Sequence, residues 1–143
     1  MTVIAWDGKT LAADRMQTYA GTVGQMTKIH RVGECLVGGA GESSFINAMI
    51  DWVRQGRRHE NFPDHQRDKD DWQPLLLVEP DGNAYIYTRT PFPVKQEQKF
   101  VAIGSGREFA LAAMYCGKTA AQAVLVAEAL CTDCGCGVDE LTL

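Results

Sequence analysis

The sequence lacks a long apolar run, an excess of positive charge and a secretion signal. No stretch approaches the roughly 18 apolar residues of a membrane span. Lys and Arg number 14 against 18 Asp and Glu, a net charge of −4, whereas a protein that binds a nucleic-acid backbone needs a concentrated basic surface. The N-terminus has no basic stretch followed by an apolar core and a small-residue cleavage site. We therefore expect a cytoplasmic protein whose partners include neither a membrane nor a nucleic acid.

The cysteines and histidines decide whether the chain could hold a metal. The chain has five cysteines: Cys35, Cys116, Cys131, Cys134 and Cys136. An odd number without a secretion signal indicates reduced thiols. The motif Cys131-x-x-Cys134-x-Cys136 is typical either of a metal or redox site or of small packing residues near a turn. A tetrahedral metal site needs a fourth ligand, and the histidines lie far away in sequence: His30, His59 and His65. We expect no metal and no cofactor.

Length and composition predict one globular domain that covers residues 1–143. A domain of about 150 residues buries roughly 68–70% of its unfolded surface, which is enough for a substantial core. Hydrophobic residues make up 45% of the chain, an ordinary share for a globular protein. The tryptophans are expected to be packing residues: Trp6, Trp52 and Trp72.

Short apolar runs separated by turns predict β-hairpins. Asp7-Gly8 lies between the apolar runs 2–6 and 10–13, a strong hairpin signal. Residues 19–23 and 28–32 predict a second pair of strands. The strand 35–38 then enters a glycine-rich turn at 38–41. Further strands are predicted at 75–78, 85–88, 100–103 and 138–143.

Helical periodicity of the apolar residues predicts helices at 43–55, 108–116 and 119–130. Ser43 or Ser44 is expected to cap the first helix, and Thr119 the last. The polar segment 57–71 has no periodicity and predicts a solvated loop rather than a binding site. Because hairpins dominate the turns, we expect two antiparallel sheets with helices packed outside them, an α+β fold.

Thr2 is the first candidate for chemistry. If Met1 is removed, the threonine becomes the N-terminal residue, and its hydroxyl is a nucleophile whose general base is its own α-amine. A free α-amine has a pKa of about 7.7–8.0, so much of it is neutral near neutral pH. Many chains begin with Met-Thr, so the weight of this observation depends on the other residues.

Several motifs, which follow one another in a fixed order along the chain, resemble those of one protein family. Residues 2–15 resemble the N-terminus of proteasome β-type subunits, and most closely that of HslV-type bacterial peptidases. Matching positions follow at Thr27-Lys28-Ile29, at the turn 38–41 and at Gly104-Ser105-Gly106. The resemblance implies an N-terminal nucleophile hydrolase with a four-layer αββα sandwich of two antiparallel sheets and helices outside.

The resemblance assigns the central chemistry to Thr2, Asp14 and Lys28. Thr2 would attack the scissile carbonyl, and its α-amine would accept the proton through a water molecule. The Lys28 ammonium would lower the pKa of the hydroxyl and of the amine. Asp14 would pair with Lys28, because an unpaired buried lysine is costly. Each residue also has an ordinary structural explanation, a turn former for Asp14 and an exposed strand residue for Lys28.

Supporting roles are implied for Gly38, Ser105 and Asp133. Gly38 would donate its backbone N–H to the developing oxyanion, and glycine suits a site that a substrate backbone must approach closely. Ser105 would hydrogen-bond near the threonine amine and relay its proton. Asp133 would support the site, with Cys136 standing where related chains carry a serine. A thiol is the weaker hydrogen-bond partner of the two. Residues after the Asp14 strand and around 35–41 are expected to line the specificity pocket.

The function implied by the resemblance is that of a threonine peptidase subunit. It would act on peptides or unfolded proteins inside a closed ring of identical subunits, with an ATP-dependent unfoldase as a candidate partner. The alternative is a proteasome-like shell or assembly protein without turnover, and an amidase acting on small amides is a third interpretation. A free, reactive Thr2 favours the peptidase, whereas a retained Met1 or an inert Thr2 favours the shell.

Overall fold

A tight hairpin opens the chain in the computed structural model, which describes residues 1–64 and 73–143. Strand β1 (Ile4–Trp6) pairs antiparallel with β2 (Thr10–Asp14), as the sequence predicts. The Asp7 carboxylate accepts hydrogen bonds from the backbone N–H groups of Lys9 and Thr10, at 2.9 and 2.8 Å. Gly8 supplies the positive φ of +95° that the turn requires.

The later elements alternate hairpins with helices. The strands are β3 (Met16–Tyr19), β4 (Thr22–Gln25), β5 (Ile29–Val32), β6 (Cys35–Gly39), β7 (Leu75–Val78), β8 (Ala84–Tyr87), β9 (Val94–Gln96), β10 (Val101–Ile103) and β11 (Val138–Thr142). The helices are α1 (Ser43–Arg54), α2 (Arg107–Tyr115) and α3 (Ala120–Leu130). No helix in the described part of the chain is long and apolar enough to cross a membrane.

Two antiparallel sheets face each other. One has the strand order β10-β1-β2-β11 and the other β5-β6-β7-β8-β9, while β3 and β4 form a separate ribbon. Alternate side chains of β1 point to opposite faces of its sheet. Ile4 and Trp6 pack between the sheets against residues such as Leu36 and Leu76. Ala5 packs on the other face, against α2 and α3.

The outer face of the five-stranded sheet is covered by α1. Met49 and Ile50 of this helix pack on Val37, Leu75 and Leu77. The layers are therefore α1, the five-stranded sheet, the four-stranded sheet, and α2 with α3. This is the four-layer αββα sandwich that the sequence predicted.

The prediction of one strand over residues 19–23 is wrong. Ala20 and Gly21 have positive φ angles of 47° and 81°, and they form the turn that joins β3 to β4. The predicted pairing of this segment with 28–32 is also wrong, because β5 pairs with β6. The sequence missed the edge strand β9, which is short and mostly exposed.

Of the two predicted helix caps, one is correct and one is wrong. Thr119 caps α3 in a capping box, in which its side chain and that of Gln122 each accept the other residue's backbone N–H. The first helix is capped by Glu42, without a side-chain capping bond, rather than by Ser43 or Ser44. The Ser44 hydroxyl instead donates to the Glu42 carboxylate.

Part of the predicted loop 57–71 has local structure. A short 3-10 turn covers His59–Asn61, and the Trp52 indole N–H donates to the Arg58 carbonyl at 2.8 Å. Trp52 and Trp6 are buried, as expected of packing residues. Residues 65–71 of this loop, with His65, and the neighbouring Trp72 lie outside the described residues.

Candidate active site

Asp14 is a fully buried carboxylate at the end of β2. Its Oδ1 accepts hydrogen bonds from the Val3 backbone N–H at 3.0 Å and from Lys28 Nζ at 2.9 Å. Its Oδ2 accepts from the backbone N–H groups of Gly135 at 3.1 Å and Met16 at 3.3 Å. These donors compensate the loss of water around the charge. Asp14 therefore joins the N-terminal segment, the start of β3 and the turn after α3.

Lys28 lies directly before β5 and is 5% exposed. Its Nζ donates to Asp14 and also to the Met1 carbonyl oxygen, at 3.1 Å. A buried ion pair is tolerated when further hydrogen bonds satisfy both partners, as they do here. The pair that the sequence predicted is thus present, and its positive end points to the N-terminal residues.

Thr2 is 5% exposed and hydrogen-bonded through each of its polar groups. Its nitrogen donates to Ser105 Oγ at 3.1 Å, and its hydroxyl donates to the Met1 carbonyl oxygen at 2.7 Å. That oxygen also receives the Lys28 ammonium. A hydroxyl, an ammonium and a carbonyl group therefore meet at one point, next to the nitrogen that would become the α-amine after removal of Met1.

The loop after β10 encloses the Thr2 backbone. The Thr2 carbonyl oxygen accepts hydrogen bonds from the Gly106 N–H at 3.2 Å and from the Ser105 hydroxyl at 3.3 Å. Gly104 has a φ of +94°, and a Cβ atom there would lie 2.1 Å from the Thr2 carbonyl oxygen. Only glycine permits this approach. The Gly104-Ser105-Gly106 motif thus places Ser105 against the Thr2 nitrogen.

Gly38 and Asp133 lie at the margins of this group. Gly38 pairs with Ile29 in the sheet, and a Cβ atom at Gly38 would lie 3.1 Å from the Lys28 carbonyl oxygen. Its oxyanion role stays a prediction. Asp133 is half-buried in the turn after α3. Within the described residues, it is Gly135 of this turn that hydrogen-bonds Asp14, so the supporting role of Asp133 stays a prediction.

Cys134 was not predicted as a site residue. It is 5% exposed, and its side chain lies beside those of Ser105 and Cys131. Burial is the main cause that raises the pKa of the Cys134 thiol to about 12, so the thiol stays protonated. Cys136, the residue expected near the site, is half-buried with a φ of +67°. No motif rule indicates which of the two thiols lies at the site, because that depends on the fold.

A metal site was one of the interpretations of these cysteines, and the structure allows it to be examined. Among the described residues, no three His, Cys, Asp or Glu side chains are grouped so that they could hold a metal ion. The described cysteines are free thiols.

A groove of about 540 Å³ opens at Thr2 and Lys28. Strand β3 lines one part of it and residues 41–44 another. A smaller recess of about 20 Å³ adjoins Thr2 and is lined by Ile46 and Ile50 of α1 and by Met26, which lies between β4 and β5. The expected lining around 35–41 is present at Gly39 and Gly41, while the contribution of α1 was not predicted.

His30 also lines this recess. Burial lowers the pKa of His30, and the positive charge of Arg54 lowers it further, against the opposing effect of Asp139. The imidazole therefore stays neutral at neutral pH. The lining of the recess mixes polar and apolar side chains and carries no charge apart from Lys28.

Solved structures with the same architecture were found by comparison. BPH of Thiobacillus denitrificans, solved in complex with epoxomicin, has a TM-score of 0.75 and 22% sequence identity over 100% of this chain and 98% of that chain. Eukaryotic HslV from Trypanosoma brucei has a TM-score of 0.70 and 18% identity, over 98% and 97% of the two chains. This chain has the HslV-type fold. No protein-family model matches the sequence, and no curated protein matches it at a significant level.

The HslV-type fold confirms the fold class inferred from the opening motif. The likeness extends over the whole chain, so the layers and their order are shared even though four residues in five differ. The roles of Thr2, Asp14, Lys28, Gly38 and Ser105 depend on chemistry that a shared fold does not determine.

Proposed function

We propose that this chain is a threonine peptidase that uses Thr2 as its nucleophile after removal of Met1. The observation that carries the proposal is the convergence of the Thr2 hydroxyl, the Thr2 nitrogen, Lys28 Nζ and Ser105 Oγ at the end of an open groove. A nucleophile beside its own base and a fixed cation is the arrangement that acyl transfer requires.

In the proposed reaction, the Thr2 hydroxyl gives its proton to the free α-amine and its oxygen attacks the scissile carbonyl carbon. The carbonyl π-electrons move onto oxygen, and the Gly38 N–H stabilises that oxyanion. The protonated α-amine then donates to the departing amine as the C–N bond breaks. Water hydrolyses the resulting ester with the same amine as base, which restores the Thr2 hydroxyl. The Lys28 ammonium, held by Asp14, stabilises the developing negative charge on the threonine oxygen.

The hydrogen bond from the Thr2 nitrogen to Ser105 supports this use of the amine. It holds the nitrogen 3.1 Å from the serine oxygen, so the amine freed by Met1 removal would already be oriented. Pre-organisation of this kind contributes to catalysis because no reorganisation is needed during the reaction.

The recess beside Thr2 gives the proposed peptidase a preference. It is small and lined by Met26, Ile46 and Ile50, and Lys28 at its edge repels a basic side chain. We propose that the residue before the scissile bond is small and uncharged. Peptides with Ala or Val at that position should therefore be cleaved faster than peptides with Lys or Arg there.

We further propose that the subunit works in the cytoplasm in a homo-oligomeric ring, on peptides or unfolded proteins. The groove is wide and open, so sequence selection by the subunit alone would be weak. Enclosure in a chamber would protect other proteins from such an enzyme. The likeness to an HslV structure supports a ring, and with it an ATP-dependent unfoldase as partner.

The test combines intact mass with an electrophile that attacks nucleophilic threonines, such as the epoxyketone epoxomicin. We expect a mass without Met1, a gain of one adduct and hydrolysis of a fluorogenic peptide. Thr2→Ala should take no adduct and show no hydrolysis. Thr10→Ala is the matched control, because the Thr10 hydroxyl contacts only the exposed Thr142 hydroxyl.

Two results would contradict the proposal. A fully active Thr2→Ala protein would exclude Thr2 as the nucleophile. A wild-type chain that retains Met1 and takes no adduct would favour the shell or assembly role instead.

A further inference from the structure

The turn after α3 contacts the site from two directions. Gly135 donates its N–H to the Asp14 carboxylate at 3.1 Å, and the Gly135 carbonyl accepts from the Arg15 N–H at 3.0 Å. Its neighbour Cys134 points instead to the loop 104–106. This turn of five residues, 131–135, therefore reaches both the carboxylate that holds Lys28 and the loop that holds Thr2.

Cys134 packs tightly beneath that loop. A Cβ atom at Gly106 would lie 2.8 Å from Cys134 Sγ and 3.2 Å from the Ala127 Cβ. The sulfur thus fills the space between α3 and the loop, and glycine at 106 is what lets it approach. Because the Gly106 N–H holds the Thr2 carbonyl at 3.2 Å, a change in the position of the sulfur would be transmitted directly to Thr2.

The sulfur also lies beside the Ser105 side chain. A serine hydroxyl has one proton to donate and two lone pairs to accept with. Ser105 Oγ accepts from the Thr2 nitrogen and donates its proton to the Thr2 carbonyl oxygen 3.3 Å away. The sulfur packs on the other side of this loop, so it limits how far the Ser105 hydroxyl can turn away from the Thr2 nitrogen.

We propose that Cys134 is a positioning residue, which holds the loop 104–106 in place and orients the Ser105 hydroxyl toward the Thr2 nitrogen. This inference rests on the proposed function, since the orientation matters only if that nitrogen becomes the general base. Asp133 and Cys136, to which the resemblance gave the supporting role, have no part in it. The Cys134 backbone N–H donates to the Cys131 carbonyl oxygen at 3.3 Å, which fixes Cys134 in the turn.

The test is peptide hydrolysis by Cys134→Ala and Cys134→Ser, measured as kcat and KM across pH. Alanine removes the packing sulfur, and we expect kcat to fall about 10- to 100-fold, the effect of a misplaced reacting group. KM should change little, because Cys134 does not line the groove. Serine restores a side-chain atom at the place of the sulfur, so Cys134→Ser should recover most of the rate.

The pH profile separates positioning from a general loss of structure. A serine oxygen that accepts from the protonated amine favours the charged form. Loss of that orientation in Cys134→Ala should therefore move the acidic limb of kcat to lower pH, and Cys134→Ser should move it back. A merely structural role would lower the plateau and leave the limb in place.

The controls are Cys116→Ala, an exposed thiol after α2, and Cys136→Ala. Both should keep wild-type kcat. An active wild-type enzyme with an unchanged kcat and acidic limb in Cys134→Ala would overturn the positioning role alone, and so would a loss confined to Cys136→Ala. A wild-type chain without hydrolysis or adduct would overturn the proposed function and this role together.

Discussion

Replacing Asp14 should cost far more stability than replacing its partner Lys28. Asp14→Ala leaves the Lys28 ammonium, 5% exposed, without its carboxylate, and breaking a buried pair in this way costs about 3–5 kcal/mol. It also removes the acceptor of the Val3, Met16 and Gly135 backbone N–H groups. At about 2–4 °C per kcal/mol, the melting temperature should fall by about 10 °C or more.

Lys28→Met has a smaller expected cost. It removes the Lys28 hydrogen bonds to Asp14 and to the Met1 carbonyl, of which the bond to the carboxylate contributes about 1.5–3 kcal/mol, while the Asp14 carboxylate keeps three backbone donors. The methionine chain also fills the space of the lysine chain. This difference follows from the number of hydrogen-bond partners. The Asp14 carboxylate has four donors, whereas the Lys28 ammonium has two acceptors.

Urea unfolding of the two variants and of Asp139→Ala would test this reasoning. Asp139 pairs with Arg15 at 2.6 Å, but the side chains are 26% and 31% exposed, and a pair of that kind contributes at most about 1 kcal/mol. We expect losses in the order Asp14→Ala, Lys28→Met, Asp139→Ala. A Lys28→Met protein that loses as much as Asp14→Ala, or an Asp14→Ala protein that loses no more than Asp139→Ala, would refute the reasoning.

Three further predictions concern other parts of the fold. Gly104→Ala forces a Cβ within 2.1 Å of the Thr2 carbonyl oxygen at a φ of +94°, so it should lower the melting temperature and abolish hydrolysis; a stable, active variant would contradict this. Because burial lowers the pKa of His30, the unfolded chain binds more protons below the ordinary value of 6.5, and stability falls as the pH drops through that range. His30→Gln should flatten this dependence in urea unfolding measured across pH, and an unchanged slope would exclude His30 as its source. Thr119→Ala breaks the capping box with Gln122 and should cost about 1 kcal/mol in the same assay, whereas an equal loss in the exposed Thr132→Ala would show that the cap is not the cause.

Local signals predicted most of the fold correctly. The Asp7-Gly8 turn fixed the first hairpin, and the apolar periodicity of residues 46–53 fixed the first helix with its buried face. These signals act within a few residues, so a sequence displays them directly. The wrong strand over 19–23 shows the limit, because Ala20 adopts a positive φ that its side chain does not favour.

The site was only partly predictable. Thr2, Asp14, Lys28 and Ser105 were found through the resemblance, and the structure brings them together by hydrogen bonds. Cys134 was missed because its role depends on how α3 ends relative to β10, a distance in space between segments about 30 residues apart. No spacing rule specifies such a contact, which only the packing of helix on sheet creates.

The buried pair does not by itself distinguish an enzyme from a shell protein. Asp14 ties together the start of β3, the N-terminal segment and the turn after α3, so a chain that had lost all catalysis would still need it in order to fold. The same holds for Gly104, which the Thr2 backbone requires. The Thr2 hydroxyl is different, because its intramolecular partner is the carbonyl of the residue that must be removed. A stable fold makes no demand on that hydroxyl, and the discriminating comparison is therefore Thr2→Ala against Asp14→Ala: a loss of activity without a loss of stability in the first, and a loss of both in the second.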